Sequence, residues 1–421
     1  MAVATDRAAA RPVRMLVVSS DTYPPTRVDV TVLFGEELSS RGHQVDWILQ
    51  SEKECDRPFV QPWGNGNVYV GATDLGNRLF SRIRKHARGI LHDLRLFSLM
   101  RSGRYDLIEV KDKFLSGLFA IVAAKLFGKR FIYWLSYPFP EEYLHRAKDG
   151  TARYPFLYVI RGYTFKVLLY KVLLPGADHI FVQSEQMLHE VAREGIPARK
   201  MTAVPMGVRA VGNAPVDATV PVPRTVIPEG ERCFLYLGAL TKVRRMDFLI
   251  RVLARVREQM PDVKLYLVGR GDFESDEKIL TDEAQRLGVT SAVVFTGQLP
   301  QAQALQYVLD ADVCVSPLFP TPIFNVASPT KLVEYMSMGK AVVANDHPDQ
   351  RLVIEGSGAG YCVAYEEQAF ADAVVKILND PAGARIMGKR GREYVSANRS
   401  YATIATMVER ELVRVAFDGA K

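Results

Sequence analysis

The sequence predicts an α/β protein with two domains. Apolar strand patterns alternate with helical patterns from residue 13 to about 194, and again from 231 to about 344. Such alternation is typical of a parallel sheet covered by helices. Residues 209–230 separate the two series; they are rich in proline, valine and alanine and lack a helical pattern, as linkers do. A length of 421 residues accommodates two domains of this kind.

Hydrophobic periodicity places the elements of each domain. In the first domain the strand patterns are VRMLVVSSD, VDWIL, YDLIEV, FIYWLS and DHIFVQS; in the second they are CFLYLGAL, VKLYLVGRG, AVVFTG, DVCVSP and AVVAN. Helical patterns fill the intervals between them. The predicted bounds are a disordered tail 1–12, a first lobe 13–208, the linker 209–230, a second lobe 231–395, and a C-terminal helix 396–421 able to return to the first lobe.

The composition indicates an anionic partner and a reducing compartment. A formal charge of +7 suits nucleic acid, a membrane surface or a phosphorylated ligand without choosing between them. Four scattered cysteines without CxxC spacing, and seven histidines without a ligand pattern, favour reduced thiols and no metal site. The N-terminus lacks the apolar core of a signal peptide, and no window is apolar enough to span a bilayer. We therefore expect a cytoplasmic location.

The stretch ASPTKLVEYMSMGKAVVAND, residues 327–346, has the start and stop signals of a helix, followed by the apolar pattern of a buried strand. Ser328 suits the N-cap, and Pro329 suits the first helical position, where its missing N–H has no intrahelical partner. Gly339 suits the position just after the helix. We predict a helix over 328–338 and a strand from residue 341.

The first turn of this helix carries side chains suited to an anionic ligand. A helix N-terminus presents free N–H groups and partial positive charge, and Lys331 adds a full charge there. Thr330, Lys331 and Glu334 share one face of the helix. The alternative interpretation is an ordinary surface pair of lysine and glutamate.

Several motifs, in order, resemble those of family 4 glycosyltransferases. In the second lobe they are YLGAL with Arg244 and Arg245, LVGRG, VVFTGQL, ADVCVSP and SPTKLVEYMSMGKAVVA; in the first lobe SSDTYPP, LSSRGHQV, ADHIFVQS and VPMGV are similar to the family pattern. The resemblance implies the GT-B architecture, in which two Rossmann-like lobes face a central cleft. It also implies a nucleotide-sugar donor, transfer with retention of configuration, and no metal or other cofactor.

The resemblance implies roles for particular residues in the second lobe. Ser328, Thr330 and Lys331 would contact the donor diphosphate, and Glu334 would hold the ribose hydroxyls. Arg244 is the best match for the family's phosphate-binding lysine, with exposed basic loop residues as the alternative. The implied donor-binding set is Gly238, Arg245, Gly269, Phe295, Ser328, Pro329, Thr330, Leu332 and Glu334, and the implied catalytic set is Arg244, Lys331 and Asp112.

The chain departs from the family pattern at four places. One is Ser136-Tyr137-Pro138, where relatives often place a histidine. Val326 stands where the family has a sugar-contacting glutamate, and Ala239 stands where it has a basic residue. Arg27-Val28-Asp29 replaces the family's Gly-Gly after the first strand, so we expect Arg27 to face the cleft. The implied acceptor-side residues are Arg27, Ser136, Tyr137 and Glu141.

Asp112 is assigned to the site because it ends the strand YDLIEV, at the sheet edge where α/β proteins bind ligands. For Asp112 and Glu141 the alternative is a solvated surface charge.

Residues 78–104 form a basic amphipathic pattern. Leu79, Ile83, Ala87, Ile90, Leu94 and Phe97 recur at steps of three and four, while the basic residues lie mostly off that stripe. The apolar face either packs on the first lobe or lies on an anionic membrane surface. The aromatic and basic stretch 153–174 is a second candidate of the same kind.

The sequence thus favours a metal-independent, retaining hexosyltransferase that uses a UDP- or GDP-sugar. The expected acceptor is lipid-linked or saccharide, in cell-envelope or exopolysaccharide biosynthesis, with peripheral membrane attachment through 78–104 and no nucleic-acid partner. The alternatives are a nucleotide-sugar epimerase or phosphorylase of the same architecture, and a catalytically silent scaffold that binds nucleotide or membrane.

Overall fold

The computed structural model describes residues 11–76, 79–209 and 225–418. Residues 1–10 of the predicted tail and 210–224 of the predicted linker lie outside the described residues. The chain divides into two compact units. The first unit runs to Pro205 and includes the segment from Tyr401 onward, and the second unit is Met206–Ser400.

The first unit has an eight-stranded sheet of order β3-β4-β2-β1-β5-β6-β7-β8, parallel except for the antiparallel pair β3 and β4. Its strands are β1 Arg14–Tyr23, β2 Gln44–Ser51, β3 Phe59–Trp63, β4 Gly66–Gly71, β5 Leu107–Lys111, β6 Arg130–Leu135, β7 His179–Val182 and β8 Met201–Ala203. Its helices are α1 Asp29–Leu38, which is π-helical, α2 Leu79–Asp93, α3 Arg95–Arg101, α4 Phe114–Phe127, α5 Phe139–Lys148, α6 Pro155–Leu168, α7 Glu185–Arg193 and α16 Tyr401–Val413.

The core of the first unit covers one face of this sheet. Phe34 of α1 packs edge-on against Trp47 at 5.4 Å and contacts Trp134 at 5.5 Å between ring centroids. Tyr401 and Leu412 of α16 belong to the same buried cluster, so the end of the chain contributes to this core.

The second unit has a six-stranded, fully parallel sheet of order β11-β10-β9-β12-β13-β14. Its strands are β9 Cys233–Leu237, β10 Lys264–Val268, β11 Val293–Gly297, β12 Val313–Ser316, β13 Ala341–Asn345 and β14 Gly360–Val363. Its helices are α8 Asp247–Gln259, α9 Glu274–Arg286, α10 Gln301–Asp310, α11 Pro322–Asn325, α12 Thr330–Ser337, α13 Pro348–Ser357, α14 Glu367–Leu378 and α15 Pro381–Asn398.

In both units the strand order reverses beside the first strand. In the first sheet, β2 and β4 are added on one side of β1, and β5 to β8 are added on its other side. In the second sheet, β10 and β11 lie on one side of β9, and β12 to β14 lie on the other. Loops that follow the two strands at such a point diverge and leave a crevice at the carboxyl edge of the sheet, where α/β proteins bind ligands. The relevant loops are those after β1 and β5, and those after β9 and β12.

The predicted α/β class with two parallel-sheet domains is confirmed. Two local predictions need correction. The single helix predicted over 78–104 is interrupted at Leu94 into α2 and α3. Asp93, the last residue of α2, is buried, accepts a hydrogen bond from the Ser116 hydroxyl and pairs with Lys113. The helix predicted over 328–338 begins at Thr330 and ends at Ser337, with Gly339 at φ +76° just beyond it.

Candidate active site

The predicted N-cap role of Ser328 is wrong. Pro329 occupies the cap position of α12, and no side chain caps the helix. The Ser328 hydroxyl is buried; it donates to Asp349 (2.9 Å) and accepts from the Met206 N–H (2.9 Å). Its hydroxyl is therefore engaged by the protein itself, and the phosphate contact predicted for Ser328 would have to come from its backbone.

The Ser328 hydroxyl lies beside a buried ion pair. Arg399 donates from Nη2 to Oδ1 of Asp349 at 2.6 Å, and both side chains are almost fully buried. Buried charges require partners of this kind, because an unpaired charge in the interior is costly. The pair fixes the segment that leads into α12, and sequence periodicity gave no sign of it.

Lys331 and Glu334 lie on the accessible face of α12. Lys331 Nζ is 2.8 Å from Glu334 Oε2, and the two side chains are 39% and 26% exposed. Thr330, the first helical residue, lies beside them. The first-turn amides, the ammonium and the carboxylate thus form one polar surface suited to a phosphorylated ligand that also carries hydroxyls.

Tyr335 attaches α12 to the carboxyl end of β9. Its buried hydroxyl accepts from the Leu237 N–H at 2.8 Å and lies 3.2 Å from the Leu237 carbonyl. Since Gly238 follows directly, the polar face of α12 is fixed in position relative to the loop after β9.

Close backbone approach explains why glycines occupy this edge of the sheet. Gly269 has φ +138°, and a Cβ there would lie 2.1 Å from the Gly238 carbonyl oxygen. Gly269 also bridges to Gly297, and the Gly238 N–H donates to Val268. Side chains would separate these three loops, so glycine keeps backbone groups at the edge of the sheet.

The basic loop after β9 is held by two residues that the sequence analysis missed. Asp276, in the first turn of α9, accepts from the Lys242 N–H at 3.1 Å and from the N–H groups of Asp272 and Phe273. The Arg245 guanidinium lies 4.6 Å from the centre of the Phe319 ring. Acidic residues in the first turn of the helical pattern of α9 were the available signal for Asp276.

Arg244 and Arg245 are both exposed, and Arg245 adopts the left-handed conformation with φ +55°. This backbone is strained for a residue other than glycine, and the stacking on Phe319 helps to keep it in place. The two guanidinium groups therefore emerge from a defined turn at the carboxyl edge of the sheet.

The side chain of Leu332, predicted to bind the donor, lies in the core instead, buried among the residues under α12. Phe295, also predicted to bind the donor, is half-buried and packs against the core of the second unit, so its donor contact stays a prediction. Val326, at the position of the family's glutamate, is also buried.

In the first unit, Asp112 and Ser136 meet at the ends of β5 and β6. Asp112 has φ +58°, and its buried carboxylate accepts from both the N–H and the hydroxyl of Ser136. Burial raises the pKa of Asp112, against the opposing effect of Lys111 and Ser136. The structure excludes the solvated-charge alternative for Asp112 and leaves its predicted catalytic role a prediction.

Arg27 lies in the loop after β1, within the same edge. Nε and Nη2 donate to the two carboxylate oxygens of Asp29 at 3.0 and 2.9 Å, and Nη1 is 3.4 Å from the Ser136 hydroxyl. Burial acts to raise the pKa of Asp29, but Lys111 and Arg27 outweigh it and lower the value to about 2. Lys111 also pairs with Asp21 at 3.2 Å. The Arg27 side chain is 41% exposed, so its outer edge can meet a ligand.

The other two acceptor-side residues lie at the start of α5. Burial, followed by the nearby Glu142, raises the pKa of Tyr137 to about 12, and its ring packs edge-on against Phe139. Glu141 accepts from the Tyr170 hydroxyl at 3.1 Å, and burial raises its pKa. These side chains are partly enclosed by their own unit.

Within the described ranges, no group of three or more His, Cys, Asp and Glu side chains is placed to hold a metal ion. The predicted metal independence of the reaction remains a prediction.

Two family models match the chain, one to each unit. A model described as "Glycosyl transferase 4-like domain" matches residues 29–207, and one described as "Glycosyl transferases group 1" matches residues 231–380. The fold and its polar edge define a glycosyltransferase with two α/β domains. The chain belongs to family 4 of the glycosyltransferases and has the GT-B architecture.

Curated relatives and solved structures agree with this assignment. The phosphatidyl-myo-inositol mannosyltransferase of Mycobacterium leprae is 32% identical over 197 residues, covering 46% of this chain and 50% of the relative. The D-inositol 3-phosphate glycosyltransferase of Kribbella flavida is 23% identical over 76% of this chain and 73% of the relative. The chain spans about half the length of the mycobacterial relatives it matches.

Among solved structures, sucrose-phosphate synthase from Thermosynechococcus elongatus matches with a TM-score of 0.68 and 22% identity over 97% of this chain and all of that chain. HepE from Anabaena, in complex with UDP and glucose, matches with a TM-score of 0.64 and 15% identity. The match covers 95% of this chain and 99% of that chain. At these identities the likeness concerns the fold.

Proposed function

We propose that the chain transfers a hexose from a UDP- or GDP-sugar to a lipid-linked or polysaccharide acceptor, with retention and without a metal. The observation that carries the proposal is the N-terminal face of α12, where Lys331 and Glu334 lie side by side on an uncapped helix start. Anions bind at such helix starts, and a carboxylate one turn further on suits the ribose hydroxyls.

The chemistry requires stabilisation of a leaving group. As the glycosidic bond breaks, the nucleoside diphosphate gains negative charge, which Lys331, Arg244 and the helix amides would stabilise. In this proposal the first unit holds the acceptor through the edge that contains Arg27 and Ser136. Asp112 would act by orienting Ser136, which it already contacts.

The name of the mycobacterial relative supports a lipid acceptor and a hexose donor. Phosphatidyl-myo-inositol and mannose are both named for the Mycobacterium leprae protein. Attachment to an anionic membrane surface through 78–104 is part of the proposal, and it is supported by the exposed Ile83, Ile90 and Leu94 of that segment. The described helices contain no segment that is both long and apolar enough to cross a membrane.

The test is thermal stabilisation of the chain by UDP, GDP, ADP, CMP and their sugar conjugates, with Lys331→Ala and Glu334→Ala alongside. At about 100 times Kd, binding adds about 2.7 kcal/mol to the free energy of unfolding. We expect one nucleotide family to stabilise the wild type and both substitutions to abolish the effect. No stabilisation, or none that depends on these residues, would contradict the proposed donor site.

A second assay then separates transfer from the alternatives. Turnover of the stabilising sugar nucleotide should require an acceptor from membrane lipid or polysaccharide. Turnover without an acceptor would favour an epimerase. Binding without turnover would favour a silent scaffold, the alternative supported by the apolar Val326 and Ala239 at positions where the family has charged residues.

A further inference from the structure

Three helices of the first unit expose apolar stripes with the same spacing. The exposed residues are Ile83, Ile90 and Leu94 on or just after α2, Leu115, Val122 and Leu126 on α4, and Phe156, Ile160, Tyr163 and Val167 on α6. Residues separated by four, seven and eleven positions lie on one face of a helix. Each helix thus presents a continuous apolar stripe to solvent. Contiguous exposure of this kind marks an interaction surface more often than scattered apolar residues do.

The helices are neighbours. The Phe119 ring of α4 contacts Phe97 of α3 at 6.3 Å, and Phe114 of α4 stacks on Phe165 of α6 at 4.5 Å. The opposite side of α4, with Gly117, Ala120 and Ala124, is buried against the unit. Helix α4 also contacts α2. We call the three stripes together the apolar face.

The helices of the apolar face also carry exposed cations. Exposed basic side chains on these helices and their ends are Arg84, Lys85, Lys125, Arg153, Arg161 and Lys171. Asp93 is the only acidic residue within the described parts of α2, α4 and α6, and it is buried against Lys113 and Ser116. Lysine and arginine can extend their charges beyond an apolar surface that their stems help to cover.

We propose that the apolar face docks on an anionic lipid surface, with α6 as the inserted helix and α2 lying among the headgroups. α6 carries the largest exposed groups, with Phe156 74% and Tyr163 60% exposed. Amphipathic helices with basic borders lie in the membrane interface in this way, and aromatic rings are favoured there. This surface extends the membrane attachment proposed for 78–104 and rests on the proposed function for its lipid-bearing acceptor.

Charge distinguishes a lipid surface from a second copy of the chain. A twofold dimer through the apolar face would place the same patch against itself, so the cations of one copy would face those of the other. Like charges brought together in an interface are unfavourable, whereas anionic headgroups complement them. The face is therefore matched to an anionic partner.

The test is cosedimentation of the full chain with two kinds of vesicle, without nucleotide sugar. One is phosphatidylcholine alone, and the other is phosphatidylcholine and phosphatidylglycerol in equal parts. We expect binding to the anionic vesicles only. The double variant Phe156→Ser with Ile160→Ser should lower binding at least about tenfold, because it removes apolar surface that would be buried in the membrane. The matched control is Leu352→Ser with Ile386→Ser, at exposed apolar positions of the second unit.

Lys125→Gln with Lys171→Gln should weaken binding about fivefold per charge at low salt. Equal binding to both vesicle types, or equal loss in the control pair, would overturn the proposal. So would a wild-type dimer in light scattering that the Phe156 and Ile160 variant converts to a monomer. Because vesicle binding is measured without transfer, failure of this surface and failure of the proposed donor chemistry give separate results.

Discussion

Lys331 and Glu334 form a 2.8 Å ion pair across one turn of α12. The two side chains assigned to the diphosphate and the ribose thus contact each other in the second unit. A partly exposed pair at this spacing stabilises a helix by only about 0.2–0.5 kcal/mol. A ligand can therefore break this pair at small cost in free energy. Substitution of Lys331 and substitution of Glu334 should have different effects on ligand binding.

Lys331→Gln should weaken nucleoside diphosphate binding about tenfold or more while leaving nucleoside binding unchanged, because a hydrogen bond to a charged group is worth roughly 1.5–3 kcal/mol. Glu334→Gln should remove the preference for a ribonucleotide over its 2′-deoxy counterpart. Calorimetric titration measures both effects. Lys278→Gln is the control, since Lys278 forms a similar 2.8 Å pair with Asp282 on α9. If Lys331→Gln weakens nucleoside binding equally, Lys331 does not contact the diphosphate.

Asp276→Ala should loosen the basic loop after β9. The substitution leaves the N–H groups of Lys242, Asp272 and Phe273 without their carboxylate partner, and loss of such a helix-start acceptor costs about 1 kcal/mol. We expect a lower melting temperature together with weaker nucleoside diphosphate binding, because Arg244 and Arg245 lose a fixed position. Asp276→Asn keeps one acceptor oxygen and should be intermediate. Lower stability with unchanged nucleoside diphosphate binding would show that Asp276 does not position the donor site.

The sequence predicted the regular elements better than the contacts between distant residues. Strands such as β9 and β13 are short, mostly apolar runs, and proline and glycine mark the region of α12, so local pattern sufficed for them. The Ser328 prediction failed because Arg399 lies 71 residues away and Asp349 lies 21 residues away. No local pattern reports a buried ion pair assembled from separate helices.

The same reasoning applies to the exposed and buried sides of elements. Periodicity found the apolar stripe of 78–104, but whether the stripe packs inward depends on the surrounding helices. Leu332 was assigned to the donor by motif position, whereas its side chain belongs to the core. Gly269 was predicted to bind the donor, which stays a prediction, and the reason for a glycine there, the nearby Gly238 carbonyl, required the structure.

Stability should fall as pH rises from about 4.5 to about 8, through Glu109. This carboxyl lies fully buried in β5, and burial raises its pKa to about 8 against the opposing charge of Lys111. In that range the folded chain keeps a proton that the unfolded chain has released, so stability decreases by up to about 1.4 kcal/mol per pH unit. Below pH 4.5 both states are protonated and the effect disappears.

Glu109→Gln, which resembles the protonated acid, should remove this pH dependence. Urea unfolding at a series of pH values measures the pH dependence of the free energy of unfolding. The control is Glu36→Gln, at an exposed position of α1. Equal slopes for the wild type and Glu109→Gln would show that Glu109 is ionised in the folded chain.

Arg27→Ala should impair the acceptor step while leaving donor binding intact. Arg27 holds Asp29 with two of its nitrogens, and its outer edge is accessible beside Ser136. Asp29 keeps its ion pair with Lys111 at 2.8 Å, so removal of Arg27 should lower the free energy of unfolding by roughly 1.5–3 kcal/mol rather than unfold the unit.

The KM for the acceptor should rise about tenfold, and Arg27→Lys should restore only part of the loss, because lysine has charge but no planar fork. Steady-state transfer kinetics with membrane lipid extract, together with donor titration, make the comparison. Arg130→Ala is the matched control, since Arg130 is similarly exposed and paired with Asp178 at the opposite end of the sheet. If donor affinity falls as much as the acceptor KM rises, Arg27 contacts the donor rather than the acceptor. If Arg27→Ala has the same effect as Arg130→Ala, Arg27 contacts neither substrate.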